Sequence, residues 1–210
     1  MEQFVINIGR QLGSGGRTVG EIIARRLGVK LYDKELINLA ARESGICPEF
    51  FEKADEKESR GVISTVVGYL RAPFVGDDGG VTNVLSNDAL FKIQSDVIRA
   101  VAARESAVFV GRCADYVLRE RKDLLNVFIH APLSFRAERA QRVYEKQANN
   151  MEEFVRKKDK KRASFYNYFS QNKWGDARHY HLAISSVYGV DFAVEVLKHA
   201  ALSFPEGVGE

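Results

Sequence analysis

The sequence predicts an α/β protein with a parallel sheet covered by helices on both faces. Two observations carry this. Short apolar runs of strand length alternate with stretches of helical spacing along the chain, the pattern that right-handed crossovers turn into a parallel sheet. The first run also opens into a glycine-rich turn and a helix, "INIGRQLGSGGRTVGEIIARRLG" from Ile6 to Gly28. Strand, glycines and helix in that order enclose an anion at the carboxyl end of a strand.

Each element follows from its pattern. Phe4 to Ile8 is an apolar run ended by Gly9, the mark of a buried strand. Thr18 to Leu27 is a helix with Val19, Ile22, Ile23 and Leu27 on one side and Gly28 as its stop. "VKLYD" (29–33) is a second strand and "KELINLAARES" (34–44) a second helix. Residues 45–87 mix prolines, glycines and charge, and read as a helical insertion with a loop at "GDDGG" (76–80). Asp88 to Glu105 is a helix with Leu90, Ile93, Val97, Ile98 and Val101 inward. "AVFVG" (107–111), "LNVFIHA" (125–131) and "YHLAISS" (180–186) are strands. A long basic helix starts at Leu133, a last helix covers 190–201, and the tail after it frays.

The 210 residues suit one domain, 1–210, able to bury a core without disulfides or metal. A net charge of +3 is too small to argue for nucleic acid, so what matters is where the charge sits. Cys47 and Cys113 stand in no CxxC or zinc spacing, and the four histidines have no ligand-spaced partners. The N-terminus has no basic and long apolar regions of a signal peptide, and no run reaches membrane-spanning length. A cytoplasmic protein is expected, with no membrane or nucleic-acid partner and an oligomeric state left open.

The glycine-rich turn carries the chemistry. A helix start offers unpaired N–H groups and a positive dipole end, and glycines let the backbone curl round an anion. Against the Walker pattern GxxxxGK[ST], "QLGSGGRT" (11–18) has glutamine at the first glycine and arginine at the lysine. In an ungapped alignment Gly16 falls on the lysine and Arg17 on the residue after it, so whether Arg17 replaces the lysine stays open. Gly13, Ser14, Gly15, Gly16, Arg17 and Thr18 are the candidate phosphate binders. Thr18 is also the candidate magnesium contact, through a bound nucleotide.

"GRQLGSGGR" (9–17), "LGVKLYDKELI" (27–37), "VFVGRCADYVL" (108–118), "VFIHAPLSFRAER" (127–139) and "KWGDARHYHLAISS" (173–186) occur in that order. Together they resemble the cytidylate kinase-like proteins, relatives of the P-loop nucleoside monophosphate kinases with a GRxxGSGGR opening. The resemblance covers most of the chain apart from about 45–87. It implies a three-layer P-loop fold with a roughly five-stranded parallel sheet, a helical substrate-binding insertion and a basic lid. It also implies ATP and Mg2+ as co-substrate and cofactor. The activity implied is transfer of the ATP γ-phosphate to a nucleoside monophosphate, CMP or dCMP foremost.

The resemblance also suggests roles. Asp33 matches an aspartate set against the substrate's sugar, and it is equally suited to cap a following helix. Arg112 matches an arginine at the substrate's phosphate or base. Residues 136–162 hold ten basic and five acidic residues and match the lid. Within it Arg136 and Arg139 match two family arginines, and Asp159 and Arg162 match its "DxxR". Arg17, Arg136, Arg139 and Arg162 are thus the candidate catalytic residues, and Asp33, Arg112 and Asp159 the candidate substrate contacts. The rest of "RKKDKKR" reads as a solvated helix face, and Trp174, Tyr166, Tyr168 and Tyr180 as core or interface.

The family's "DGRD" reads "VGRC" here, with Asp115 close by. Two other readings therefore stand beside the first: a kinase for another small metabolite, and a nucleotide-binding regulatory protein with weak or no catalysis.

Overall fold

The computed structural model describes residues 3–33, 37, 87–144 and 150–203. Most of the helix expected over 34–44, the insertion at 45–86, residues 145–149 of the lid and the tail lie outside the described residues.

Five parallel strands form one sheet: β1 (Val5–Arg10), β2 (Lys30–Tyr32), β3 (Ala107–Val110), β4 (Leu124–His130) and β5 (Leu182–Ser185). Their order is β2-β3-β1-β4-β5. The expected fold class is thus what is found. β1 sits at the centre, with Ile6 opposite both Val108 and Leu125. Being covered on both faces, it reads as an almost unbroken apolar run.

The alternation of side chains along β1 divides the core in two. Val5 joins Phe109, Leu124 and the helix α2 (Asn87–Arg104), which contributes Ile93, Val97, Ile98 and Val101. Ile6 and Ile8 join Val108, Val127, Ile129 and two helices on the other face. These are α1 (Gly16–Leu27), through Val19 and Ile23, and α6 (Val190–Leu202), through Val194 and Leu197. Between them in the chain come α3 (Ala114–Val117), α4 (Leu133–Tyr144) and α5 (Met151–Ser170).

The structure revises three boundaries. β1 runs two residues further than its apolar pattern, to Arg10, because Gly9 and Arg10 pair with Phe128 and Ile129 of β4. α1 starts at Gly16 rather than Thr18, since Gly15, at φ 80°, ends the turn. The basic stretch after Leu133 is two helices, the second capped by the Asn150 side chain accepting from Glu153 N–H. α1 ends as expected at Gly28, whose N–H returns to the carbonyls of Ala24 and Arg25.

On α5, Val155, Asp159, Tyr166 and Ser170 are buried, a helical stripe, while Arg156, Lys157 and Lys160 face solvent. Most of the basic run is therefore a solvated face, and Asp159 turns inward from it. A small cluster of Leu12, Ala140 and Val155 packs α4 and α5 against the glycine-rich turn.

Candidate functional site

The turn leaves β1 at its carboxyl end and is held rigid by its neighbours. Gln11 N–H donates to the Ile129 carbonyl at 3.1 Å, and the Gln11 side-chain oxygen accepts from Ala131 N–H. The buried Ser14 spends its hydroxyl on the Gln11 carbonyl at 2.8 Å. Ser14 therefore shapes the turn, and its own N–H closes it on the same carbonyl.

Arg136 and Asp159 clamp the turn from outside. Arg136 Nη1 donates to Asp159 Oδ2 at 2.5 Å and to the Leu12 carbonyl at 3.1 Å. Its Nε donates to the Ala131 carbonyl, and Asp159 Oδ1 accepts from Leu12 N–H at 2.8 Å. Both residues are buried. In this structure the two are engaged with each other and with the loop backbone, a task different from the lid and substrate contacts the resemblance implies for them.

Gly13 and Gly15 have φ of 77° and 80°, where a side chain is strained. A Cβ on Gly13 would also overlap the Arg136 carbonyl. Gly13→Ala is expected to cost about 2–4 kcal/mol, from φ strain plus the clash. A urea-denaturation midpoint unchanged from wild type would refute that.

Over the turn lies Arg139. Its guanidinium is where a Cβ on Gly15 would press, and Nη2 is 3.4 Å from Thr18 Oγ1. Arg17 points elsewhere: Nη2 is 3.0 Å from Asp33 Oδ2 and Nε 3.1 Å from Glu21 Oε1, with the side chain largely exposed. The cation directly over the glycines is thus Arg139.

Position 16 explains the absent lysine. A Cβ on Gly16 would sit 2.5 Å from Arg10 Cβ and 3.3 Å from Ile129 Cβ. The Arg10 guanidinium then crosses Gly111, where any Cβ would overlap Nη1. Arg10 is a site residue the sequence reading passed over. Its available signal was an arginine at the tip of a central strand, directly after the glycine.

A cavity of about 210 Å³ opens beside the turn, at the carboxyl ends of β1 and β3. Arg10, Arg17, Arg112 and Arg162 line it, with Asp33 among them. Arg162 Nη1 donates to the Arg10 carbonyl at 3.3 Å, and the buried Arg112 guanidinium lies 5.5 Å from the Phe165 ring centre. The backbone bends sharply to place Arg112: Gly111, Arg112 and Cys113 have φ of 79°, 62° and 55°. Consecutive left-handed residues other than glycine are strained, and such strain collects at functional sites.

The electrostatics match an anion site. Burial lowers the Arg10 pKa well below the ordinary guanidinium value, with the charges of Arg162, Arg112 and Arg17 adding to the fall and Asp33 opposing it. Burial pushes Arg112 down to about 10, with Arg162 lowering it further and Cys113 and Asp33 resisting. It stays protonated at neutral pH. Burial pushes the Cys113 thiol up, leaving it protonated and unreactive.

Asn7, Asp115, Tyr166 and Tyr180, all buried, line the same cavity, together with Trp174. Tyr166 OH donates to Asp115 Oδ2 at 2.6 Å. Burial raises the Asp115 pKa, against the hydrogen bond from Tyr166. Tyr180 and Trp174 pack on Phe128 at ring-centre distances of 4.9 and 5.3 Å. Tyr166 and Tyr180 are buried as the sequence suggests, Trp174 is half-buried, and Tyr168, at 64% exposure, is not part of the core; the first three also line the cavity.

A larger cavity, about 640 Å³, lies at the starts of β4 and β5, lined by Arg119, Arg121, His181 and Leu124 among others. Arg121 is there paired with Asp123 and Arg119 lies over the Tyr116 ring. It is at the amino ends of the strands, away from the turn, whereas open α/β sheets bind ligands at the carboxyl ends.

The site fits nucleotide phosphates. Its glycines leave a cradle that Cβ atoms would fill, at a helix start and under a guanidinium. For a metal, the described residues contain no group of three histidine, cysteine or acidic side chains, and the turn offers Thr18 alone. No helix among the described residues is long and apolar enough to cross a membrane.

Comparison with known proteins agrees with this geometry. No curated protein matches the sequence. An uncharacterized protein from Eubacterium ventriosum ATCC 27560 superposes with a TM-score of 0.70 at 24% identity, over 96% of this chain and 99% of that one. A gluconokinase from Sinorhizobium meliloti 1021 gives 0.54 at 15% identity, over 98% and 96%. A shikimate kinase from Acinetobacter baumannii, in complex with shikimate, gives 0.51 at 17% identity, over 98% and 96%. At these identities the likeness concerns the fold. The model of the cytidylate kinase-like family matches residues 5–188, nearly the whole described core, and the chain belongs to that family.

Proposed function

We propose that the protein transfers the γ-phosphate of Mg-ATP to a nucleoside monophosphate, CMP or dCMP foremost. The observation that carries this is the gathering of Arg10, Arg17, Arg112 and Arg162 in one cavity beside the glycine-rich turn, against two carboxylates, Asp33 and Asp115. Four guanidiniums against two carboxylates leave a positive balance that an anionic ligand would complement. Two phosphate places side by side are what transfer between two phosphorylated molecules needs.

In this reading the triphosphate lies along residues 11–18, against backbone N–H groups and Arg139. The acceptor's phosphate lies among Arg10, Arg112 and Arg162. Arg17 and Asp33 stand between the two places, joined at 3.0 Å. Magnesium, carried by the nucleotide, would neutralise phosphate charge, with Thr18 as its protein contact. Phosphoryl transfer asks for little covalent chemistry from a protein, and alignment and positive charge do most of the work. Arg136 and Asp159 serve by keeping the turn in shape. Membership of a kinase-like family supports the reading, and so does the three-layer fold shared with the gluconokinase and shikimate kinase. A cytoplasmic place fits it as well.

The test is ADP release from Mg-ATP with CMP, dCMP, UMP, AMP, shikimate, gluconate or buffer alone. Turnover that depends on CMP or dCMP supports the proposal. Turnover with a non-nucleotide acceptor alone, or with none, refutes it. Arg17→Ala is expected to raise the acceptor KM about 10-fold with a smaller fall in kcat, because Arg17 engages Asp33 rather than the turn. A collapse of kcat at unchanged KM would place Arg17 on the transferring phosphate instead.

A further inference from the structure

Asn7 lies in the middle of the central strand, 1% exposed, and lines the cavity that the arginines share. A hydrogen-bond chain fixes which way its amide faces. Asn126 Nδ2 donates to the His179 carbonyl at 2.7 Å, so Asn126 presents Oδ1 to Asn7. Asn7 must then present Nδ2 to Asn126, at 2.7 Å. That leaves Asn7 Oδ1 turned away from Asn126, buried, and without a hydrogen-bond partner among the described residues. A buried carbonyl oxygen left so is costly unless a water or a ligand group supplies the donor.

We propose that Asn7 Oδ1 is a specificity contact that accepts a hydrogen bond from an amino group on the acceptor's ring, and so selects cytosine over uracil. The inference rests on the acceptor being a nucleoside monophosphate. The arginines supply the cavity's anion-binding groups, and Asn7, three residues before Arg10 on β1, stands about 10 Å back along the strand. Tyr166, Tyr180 and Trp174 line the same cavity, which suits a flat ring better than a polyol. An oxygen that can only accept welcomes the 4-amino group of cytosine and meets the 4-carbonyl of uracil as a second acceptor. Sites that hydrogen-bond a donor group reject analogues lacking it, because the buried partner is left bare.

The test removes the amino group from the ligand and then the oxygen from the protein. Affinities of the wild-type protein, saturated with a non-hydrolysable ATP analogue and magnesium, are measured by calorimetry for three monophosphates: CMP, UMP and the pyrimidin-2-one riboside monophosphate, which lacks the 4-amino group. CMP is expected to bind about 10-fold or more tightly than either of the others. Asn7→Leu, of similar size, is expected to bring all three within about 2-fold, mainly by weakening CMP. Equal binding of CMP and the des-amino compound by the wild type overturns the inference, and a bound water is then the partner of Asn7. An unchanged preference in a folded Asn7→Leu protein overturns it too. In both cases the kinase reading stands, whereas binding of none of the three removes that reading as well. The wild-type comparison decides the matter even if the variant does not fold.

Discussion

Arg10→Met is expected to lower kcat/KM for the acceptor about 100-fold or more while leaving the melting temperature unchanged or higher. Methionine keeps the unbranched stem that packs on Gly16, and deletes only the charge. The charge is what the site lacks most without Arg10. Preorganised donors aimed at developing phosphate charge are worth about 100- to 1,000-fold each in rate. The stability sign is opposite because Arg10 stands among Arg162, Arg112 and Arg17, and burial and these charges disfavour its protonated form more than Asp33 favours it. A merely structural arginine would show the reverse pattern, with stability lost and catalysis spared. Steady-state kinetics together with thermal melts separate the two, and a variant within 3-fold of wild-type activity would remove Arg10 from the site.

The second large effect is on the fold. Asp159→Ala is expected to cost about 3–5 kcal/mol of unfolding free energy, because it leaves the Arg136 guanidinium buried with its carboxylate partner gone. It also strips Leu12 N–H of its acceptor, at the first bend of the glycine-rich turn. Replacing both partners, Arg136→Met with Asp159→Leu, is expected to recover much of the stability, since the bare charge is gone. Catalysis is expected to stay low in the double variant, because the Leu12 carbonyl and N–H are no longer held. Denaturant titrations of the three variants check this. A single variant that loses less than about 1 kcal/mol would show that the pair does not brace the turn.

Much of this was legible in the sequence. The five strands, the helix stop at Gly28 and the two faces of the sheet follow from apolar spacing, which burial dictates directly. The turn was legible because glycine is required where φ is positive, as at Gly13 and Gly15. Asp33 and Arg112, expected at the substrate, and Arg162, expected among the catalytic residues, line one cavity, whereas Asp159 does not. The unread parts depend on contacts across long separations. Nothing near Arg136 tells that its partners are Leu12 and Asp159. Nothing near Arg17 tells that its guanidinium turns toward Asp33. Asn7 sits in an apolar strand run where a single polar residue looks like noise. Only the register placing it beside Asn126 gives it a direction.

Gly16 and Arg10 occupy one volume between them, and that changes how the missing lysine should be regarded. The space beside the helix start is filled from the strand, by the Arg10 stem, while the guanidinium over the glycines comes from Arg139. The two positions are therefore exclusive alternatives: a long side chain at 16 demands a small one at 10, and the reverse. Grafting a lysine onto Gly16 would not simply complete the motif but push the Arg10 side chain out of its place. A search for phosphate loops that asks for the lysine alone would pass over this arrangement, whereas one that asks where the cation enters would find it.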